Sequence, residues 1–412
     1  MKTTPANPSL DRIESIDVLR GVAVLGILLM NIRTFALPSD AYSMPNIAGA
    51  ESSFDLMVFF TGHVLADMKF MAIFSLLFGA GVVIFTSRLE SRTGRSGGMH
   101  YRRMVWLLLI GLCHAWLLWY GDILVAYALC GMIAFPLRHM RGRWLFVLGS
   151  ILLFIGMIIP WGLLSLVELE GPKAMAEMAS ELAVTPESLE YERAAWTGSW
   201  ADQWELRSAL AGMIESIGFL VFVMWRTIGL MLLGMACMRW KLFSPEFSRR
   251  ILLGLLIGGL LIGPWMTWQG VVANRAVDWS PVDVMFRNAG WNYWGSLATA
   301  AAWVGLVLWW CQSGVLAVCR RWLAAVGRMA LTNYLAQSIL CALLFYGYGV
   351  GLYGQFGYAS QLLFVLGIWV IQLAWSPWWL SRFRFGPMEW LWRSLTYWKL
   401  QPLRRERVHS EP

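Results

Sequence analysis

Ten long apolar runs divide this sequence, and no other feature restricts its fold as strongly. An α-helix rises about 1.5 Å per residue and the hydrocarbon layer of a membrane is about 30 Å thick, so one crossing needs about 20 mostly apolar residues. Runs close to this length lie at 16–35, 70–86, 103–120, 122–137, 144–167, 215–238, 251–271, 294–313, 328–346 and 359–380. The sequence therefore predicts an all-α, polytopic transmembrane helix bundle with about ten crossings.

The composition indicates a protein whose partner is the lipid bilayer. Hydrophobic residues make up 58% of the 412-residue chain and charged residues only 14%, which lies well outside the usual mix of a soluble domain. The formal charge is +8, but Lys and Arg stand in short clusters between apolar runs, so we expect no nucleic acid partner. The six cysteines show no paired spacing, and we expect no metal site. The sequence shows no domain boundary, so residues 1–412 are predicted to form a single membrane domain.

The basic clusters predict the orientation of the chain. They lie at 88–103, 138–143, 239–250 and 320–328 and in the tail from 382. All of them fall on one side of the membrane only if the segment 54–85 crosses once, which leaves 54–66 as a short re-entrant or interfacial helix. Because cytoplasmic loops carry the excess of Lys and Arg, both termini are predicted to be cytoplasmic. The segment 381–412 is then a basic cytoplasmic tail with an interfacial helix.

The connections on the opposite side carry acidic residues or few charges. The longest of them, 168–214, contains many Glu and several helix-favouring stretches, and it is predicted to face outward. It is interpreted either as a small helical cap or as a solvated linker.

Ionisable and amide side chains inside the apolar runs cost free energy in lipid, so each is a candidate functional residue. In the predicted outward half of the bundle they are Asn31, Arg33, His63, Asp67, Lys69, His114 and Asp122. Polar groups from four helices at one depth indicate a polar cavity that holds a small-molecule substrate. Arg226 stands in the middle of its run and is predicted to pair with Asp67, with Asp122 or with a ligand anion. Asn333 and Gln337 either contact the substrate or join helices by hydrogen bonds.

His114 and Asp122 are the first candidate catalytic pair. His114 lies about 18 Å along its helix from Arg102, and a tight turn before Asp122 can return the carboxylate to the histidine. A carboxylate that orients an imidazole and stabilises its protonated form is the basic unit of general base catalysis. His63 and Asp67 are the second candidate pair. The competing interpretation of each histidine is a core residue with a satisfied hydrogen bond.

Five motifs, spread over nearly the whole chain, resemble the YeiB-like bacterial inner-membrane proteins. They are IDVLRGVAVLGILLMNI, KFMAIFSLLFGAG, GDILVAYALCG, GRMALTNYLAQS and GPMEWLWRSLT. The start of the first, D-x-L-R-G-x-A, is also similar to type-three membrane acyltransferases and to heparan-alpha-glucosaminide N-acetyltransferase. Those enzymes move acyl groups from cytoplasmic coenzyme A to sugars across the membrane. The resemblance implies the bacterial inner membrane as location, acyl-coenzyme A (acyl-CoA) as donor and a sugar or envelope component as acceptor.

The chain departs from these enzymes at their histidines. Type-three acyltransferases carry a catalytic His late in the first helix, where this chain has Asn31. Relatives of the heparan enzyme use a His in the following outward segment, and alignment of their Ala-Asp pair with Ala66 and Asp67 puts that position near Met57. This chain therefore has no histidine at either of these two positions. His63 could replace the histidine of the heparan enzyme's relatives only from a displaced position.

Two functions are open from the sequence. The first is a membrane-embedded acyltransferase, in which basic residues at the cytoplasmic mouth attract the phosphates of acyl-CoA. These residues are Arg20, Arg102, Arg103, Arg138 and Arg328. The second is a transporter or permease, in which the buried ionic groups line a path for a small anionic or zwitterionic solute. The small-residue spacings in 254–263 suit either a homodimer or packing inside one chain.

Overall fold

The computed structural model describes residues 13–405, and the regular elements in this range are helices. The α-helices are α1 Glu14–Ala36, α2 Ser53–Leu65, α3 Lys69–Thr93, α4 Gly97–Leu117, α5 Leu124–Ala134, α6 Gly142–Glu170, α7 Pro172–Glu181, α8 Pro186–Thr197, α9 Trp204–Met213, α10 Met224–Arg239, α11 Arg249–Ala276, α12 Ala289–Ser313, α13 Ala317–Arg328, α14 Ala330–Phe345, α15 Tyr358–Arg382 and α16 Pro387–Tyr397. Short 3-10 or π-helical segments are Ser39–Tyr42, Phe135–His139, Ile214–Val223 and Asp283–Arg287. The predicted all-α class is confirmed.

Seven spans in the described part of the chain are long and apolar enough to cross a membrane. They are Glu14–Ala36, Ser53–Thr93, Gly142–Glu170, Trp204–Arg239, Arg249–Ala276, Asp283–Ser313 and Tyr358–Arg382. The pair α13 and α14 forms an eighth if it is one span bent by 80°. Each predicted run coincides with a helix, but α4 and α5 are not among these spans. The polytopic bundle is confirmed, whereas the count of about ten crossings stays a prediction.

The short segment ahead of the second predicted crossing is a helix of its own. α2 has 13 residues, and its first turn is capped by the Ser52 hydroxyl, which accepts a hydrogen bond from the backbone N–H of Asp55. Met68, with a φ of 61°, separates α2 from α3. The span Ser53–Thr93 has 41 residues, about twice the length of one crossing. The re-entrant or interfacial location of α2 stays a prediction.

α1 lies at the centre of the bundle, where it contacts α3, α13, α14 and α15 and buries most of its side chains. Gly21 of α1 and Gly327 of α13 permit a close approach of these two helices. A Cβ on either glycine would lie within 2.1 Å of a backbone oxygen of the other helix. This contact brings Arg20 and Arg328 to the same end of the bundle.

The small-residue spacings in 254–263 belong to α11, which packs along α12. A Cβ on Gly259 would lie 2.3 Å from the Ala298 carbonyl oxygen, and one on Gly263 would lie 2.2 Å from Thr299 Oγ1. These two glycines therefore serve packing inside one chain. The homodimer stays a prediction.

The acidic segment 168–214 contains α7, α8 and α9. The Glu192 carboxylate of α8 accepts hydrogen bonds from the backbone N–H of Ser39 at 2.9 Å and from Trp196 Nε1 at 3.3 Å. The Trp196 ring stacks on Tyr346 with centroids 4.6 Å apart. The segment is therefore helical, as a small helical cap would be, and its helix α8 packs against the loop that follows α1. The outward location of this segment stays a prediction.

The tail contains α16 at the position of the predicted interfacial helix. Trp392 Nε1 of α16 donates a hydrogen bond to the Arg103 carbonyl oxygen at 2.8 Å, so the helix packs against the start of α4. Residues 406–412 of the predicted tail lie outside the described residues. The cytoplasmic location of the tail stays a prediction.

Candidate functional site

An arginine-lined cavity of about 540 Å³ lies between α1, α3, α4, α5, α13, α14 and α16. Its six lining arginines are Arg20, Arg88, Arg103, Arg328, Arg384 and Arg393. Two carboxylates, those of Asp17 and Glu389, line the same cavity. The charged part of the wall therefore carries an excess of positive charge, which attracts anions.

The cavity extends from this charged end into the apolar core of the bundle. Arg88 and Phe74 of α3 both line it, and the stretch of helix between them corresponds to about 21 Å. Its deep wall is formed by aromatic and aliphatic side chains, among them Ile123, Tyr127 and Tyr334. Such a wall suits a ligand with one anionic end and one long apolar end.

His114 and Asp122 lie behind the deep wall and contact each other. His114 Nδ1 is 2.7 Å from Asp122 Oδ1, and the two side chains are only 2% and 1% exposed. Asp122 Oδ2 accepts a hydrogen bond from the backbone N–H of Val125 at 2.7 Å, so the same carboxylate also caps the start of α5. The predicted contact between the two side chains is confirmed, and their catalytic role stays a prediction.

The second imidazole nitrogen of His114 is available for proton transfer. Nε2 is buried and has no hydrogen-bond partner among residues 13–405. Because the Asp122 carboxylate favours the proton on Nδ1, Nε2 is left as the basic nitrogen of the neutral ring. The Tyr334 ring, with its centroid 5.2 Å from that of His114, lines the cavity and separates the histidine from it.

A second polar cluster surrounds Asp67. Asp67 accepts hydrogen bonds from the Tyr42 hydroxyl at 2.6 Å and from Asn292 Nδ2 at 2.7 Å, and His63 Nδ1 lies 3.0 Å from its Oδ2. Lys69 Nζ donates to Asn292 Oδ1 at 2.6 Å and to the His63 carbonyl oxygen at 2.7 Å. The structure thus brings together three of the predicted residues. In the described chain, no hydrogen bond or ion pair joins this cluster to the first pair.

Sequence reasoning misses Tyr42 and Asn292, the two direct hydrogen-bond donors to Asp67. Tyr42 lies in a 3-10 segment between α1 and α2, and Asn292 lies in the first turn of α12. Neither stands inside a predicted apolar run, so neither costs the free energy that marks a buried polar residue in lipid. Their positions depend on how the loop returns to the bundle, which a local pattern does not encode.

Arg226 makes no direct ion pair with a carboxylate among residues 13–405, although the Asp67 charge acts on it, and its pairing with a ligand anion stays a prediction. Its guanidinium donates to the Tyr293 carbonyl oxygen at 3.1 Å and to Ser296 Oγ at 2.7 Å, and it lies 4.5 Å from the centre of the Tyr293 ring. Neither Asp67 nor Asp122 is among its ion-pair partners. Two neutral oxygens and an aromatic face satisfy this buried cation instead.

Arg33 and Asn31, the other predicted binding residues of α1, belong to neither catalytic candidate pair. The Arg33 guanidinium donates to the carbonyl oxygens of Tyr42 at 3.3 Å and Phe59 at 3.1 Å. Asn31 is half-buried near the end of the helix. Arg33 therefore holds the loop after α1 and the helix α2 in place.

Asn333 and Gln337 join α14 to its neighbours. Gln337 Nε2 donates to Gln372 Oε1 at 2.9 Å, and Gln372 Nε2 donates to the Asn333 carbonyl oxygen at 2.8 Å. Asn333 Nδ2 donates to Ser376 Oγ at 3.1 Å. These contacts match the helix-joining alternative rather than substrate contact.

Three of the five arginines predicted to bind coenzyme A line the cavity, and two do not. The three are Arg20, Arg103 and Arg328. Arg102 instead lies 4.4 Å from the centre of the Trp398 ring and donates to the Thr396 carbonyl oxygen, and Arg138 forms a 2.8 Å ion pair with Glu90. Successive residues of a helix point about 100° apart, so only one of the two neighbours on α4 can face the cavity.

Arg88, Arg384 and Arg393 complete the charged wall, and the sequence does not single them out. They stand in the predicted basic clusters, but their convergence depends on helix rotation and on the return of the tail through α16. Burial, with a smaller effect of nearby Arg88, lowers the pKa of Arg393. Like charges held together in this way favour an anionic ligand.

In the range that the structure describes, no group of three or more His, Cys, Asp or Glu side chains is arranged to hold a metal ion. The six cysteines are free thiols. Cys130 and Cys341 are buried, whereas Cys113 is exposed.

The chain is similar to bacterial proteins over almost its whole length. Residues 237–399 match the family described as "Protein of unknown function (DUF418)". The chain is 32% identical to the uncharacterized protein YxaH of Bacillus subtilis, over 96% of this chain and 97% of that one. It is also 32% identical to the uncharacterized protein YeiB of Escherichia coli, over 94% of this chain and 97% of that one. An uncharacterized 39.9 kDa protein in the amylase 3' region of Bacillus acidopullulyticus is 27% identical, over 94% of each chain.

Proposed function

This chain belongs to the family of YxaH and YeiB, and from its arginine-lined cavity we propose that it is a membrane-embedded acyltransferase that accepts an acyl group from cytoplasmic acyl-CoA. One observation carries the proposal. The cavity extends from six arginines to the wall that covers His114 and Asp122. The proposed acceptor is a sugar or another envelope component on the outward side, as the resemblance of the first helix implies.

Acyl-CoA matches the chemistry of the cavity. Its phosphates are anionic, and arginine guanidinium groups bind phosphate oxygens through paired, charge-assisted hydrogen bonds. The pantetheine arm between these phosphates and the thioester is long and less polar, and it would follow the stretch of about 21 Å between Arg88 and Phe74. The thioester carbon would then lie at the deep wall, next to Tyr334.

His114 and Asp122 would supply a general base for the transfer. Nε2 takes a proton from the acceptor hydroxyl or amine as the acceptor oxygen or nitrogen forms a bond to the thioester carbon. The carbon–sulfur bond then breaks, and the imidazolium gives the proton to the departing thiolate, so coenzyme A leaves as the thiol. Asp122 holds the ring through Nδ1 and stabilises its positive charge. An acyl-histidine intermediate is the alternative route, and trapping of an acyl-enzyme separates the two.

The cluster around Asp67 favours the second candidate function, a transporter or permease. His63, Asp67 and Lys69 are ionisable groups within an apolar span, and the acyl transfer scheme gives them no role. Buried groups of this kind mark solute and proton paths in transporters. A small anionic or zwitterionic solute would then pass along this cluster, and the protein would not turn over acyl-CoA.

Binding of acyl-CoA by the purified protein tests the donor site. We expect a ligand-dependent rise in melting temperature. Arg328→Gln is expected to weaken binding about 10- to 100-fold, because a hydrogen bond to a charged group contributes about 1.5–3 kcal/mol. The matched control is Arg321→Gln, which removes an exposed arginine of the same helix and is expected to bind like the wild type. If no acyl-CoA raises the melting temperature, the transporter takes the place of the enzyme.

A further inference from the structure

A second cavity of about 540 Å³ forms an apolar groove between α1, α2, α3, α12, α13 and α15. Its wall is almost wholly apolar. In the described chain, it shares no lining residue with the arginine-lined cavity, and neither His114 nor Asp122 lines it. Phe54 and Met57 of α2 stand at the groove with exposed fractions of 57% and 55%. Exposed apolar side chains of a membrane bundle are expected to face lipid, so we expect the groove to open to the hydrocarbon of the bilayer.

The groove has the length of one leaflet of a membrane. Arg33 and Val22 of α1 both line it, and the helix between them corresponds to about 16 Å. Tyr358 and Trp369 of α15 line it over the same number of residues. The hydrocarbon of one leaflet is half of about 30 Å. A lipid chain that starts beside Arg33 would therefore end near Val22, at the middle of the bilayer.

The polar atoms of the groove gather at the Arg33 end. The Arg33 guanidinium lies 4.5 Å from the centre of the Phe59 ring and 5.2 Å from that of Tyr358, and its hydrogen bonds go to carbonyl oxygens. Among the described ion pairs, none includes Arg33, and the Asp67 carboxylate acts on this buried cation without contacting it. Gln361 Oε1, at the same end, is buried and has no hydrogen-bond partner in the described chain.

We propose that this groove binds an anionic phospholipid of the surrounding bilayer, phosphatidylglycerol, with its phosphate at Arg33 and one acyl chain along α1 toward Val22. A phosphate pairs with a guanidinium through charge-assisted hydrogen bonds, which would give Arg33 an anionic partner in direct contact. The headgroup hydroxyls can donate to Gln361 Oε1, which accepts only. The acyl chain covers the apolar wall. The site is independent of acyl transfer, because it shares no catalytic side chain with that proposal.

Photo-crosslinking in liposomes tests the chain-binding part of the groove. The probe is phosphatidylglycerol with a diazirine in one acyl chain, and the readout is the labelling of α1, α2 and α15 peptides by mass spectrometry. Leu362→Trp fills the groove and is expected to lower this labelling severalfold. Leu363→Trp is the matched control, since Leu363 is 71% exposed on the same helix and is absent from the groove wall. Equal labelling of the Leu362→Trp variant and the wild type would overturn the site.

A comparison of headgroups tests the phosphate contact. The same diazirine chain on diacylglycerol, which has no phosphate, is expected to label the wild-type groove severalfold less than the phosphatidylglycerol probe. Arg33→Gln is expected to reduce the difference between the two probes. If Arg33→Gln does not fold, the comparison on the wild-type protein still decides. Equal labelling by both probes, or stronger labelling by an isoprenoid phosphate probe, would overturn the proposed ligand.

Discussion

Arg226 is a buried cation that this bundle satisfies with neutral partners on α12. The sequence places it correctly in the middle of an apolar run but does not show that Tyr293 and Ser296 receive its hydrogen bonds. Those two residues are far away along the chain, and their approach depends on how α10 packs. The contact between His114 and Asp122 was predictable because both residues belong to one tight hairpin. Short-range contacts of buried polar residues can thus be inferred from this sequence, and long-range contacts cannot.

Substitution of Arg226 tests its independence from Asp67. Arg226→Leu is expected to lower the free energy of unfolding by about 1–3 kcal/mol, because two buried oxygens lose their donor. Asp67→Asn disturbs a different set of hydrogen bonds, with Tyr42 and Asn292. Because the two side chains share no hydrogen bond and interact only through their charges, the two losses are expected to add approximately in the double variant. Thermal unfolding of the three purified variants measures these losses. A double variant that is much more stable than the sum of the two single losses predicts would show that the two side chains are partners.

α14 begins inside the bundle, where its first backbone N–H groups need an acceptor. Glu389 of α16 provides it: Oε1 accepts from the backbone N–H of Leu331 at 2.7 Å and of Thr332 at 3.1 Å, and Oε2 accepts from the Thr332 hydroxyl at 2.6 Å. The sequence predicts an apolar run at 328–346 but not the break before α14 or its distant cap. Apolar length defines a helix, whereas a cap supplied by the tail depends on tertiary structure.

Glu389 is expected to make stability depend on pH. Burial raises the pKa of Glu389 above its ordinary value of 4.5, with hydrogen bonds opposing the shift. A group whose pKa is raised in the folded state stabilises fully below its unfolded pKa, and this contribution is lost as the pH rises through the folded pKa. Glu389→Gln keeps a hydrogen-bond acceptor for the N–H groups of α14 but cannot titrate, so this contribution to stability no longer depends on pH. Its melting temperature is therefore expected to rise relative to the wild type as the pH increases above 4.5.

Glu389→Ala is the matched comparison, because it removes the acceptor altogether. We expect it to lower the free energy of unfolding by about 1–3 kcal/mol at neutral pH, since buried N–H groups of α14 lose their partner. Melting curves of both variants and the wild type are measured between about pH 5 and 8, where a carboxyl group with a raised pKa titrates. These curves show both effects. A melting-temperature difference between Glu389→Gln and the wild type that does not change with pH would contradict the role assigned to this carboxylate.

The bundle as a whole follows from a constraint that lipid imposes on every segment. Backbone polar groups in hydrocarbon must be paired within the segment, so each apolar run folds as a helix and its approximate position can be read from the sequence. The arginine-lined cavity could not be predicted in the same way. It is built from seven helices, one of which is α16 of the tail, and Arg102 and Arg103 show that adjacent residues of one cluster face different surroundings.

The predicted orientation follows from the one-sided basic clusters. Reporter fusions at Gly97, at the start of α4, and at Gly198, at the end of α8, are expected to report the cytoplasm and the exterior, respectively. This arrangement puts the arginine-lined end of the cavity in reach of cytoplasmic acyl-CoA. The same compartment for both fusions would rule the arrangement out.

The proposed acyl transfer at His114 can be tested in inverted membrane vesicles, which present the cytoplasmic face to labelled acyl-CoA in the medium. Transfer of label to envelope material is expected to require the protein and to fall by roughly 10² to 10⁴ in His114→Ala, the typical contribution of a general base. Binding of acyl-CoA by this variant is expected to be unchanged, because His114 lies outside the arginine-lined wall. His63→Ala, the control from the second cluster, is expected to keep most of the activity. Full transfer by His114→Ala, or no protein-dependent transfer by the wild type, would contradict catalysis by this pair.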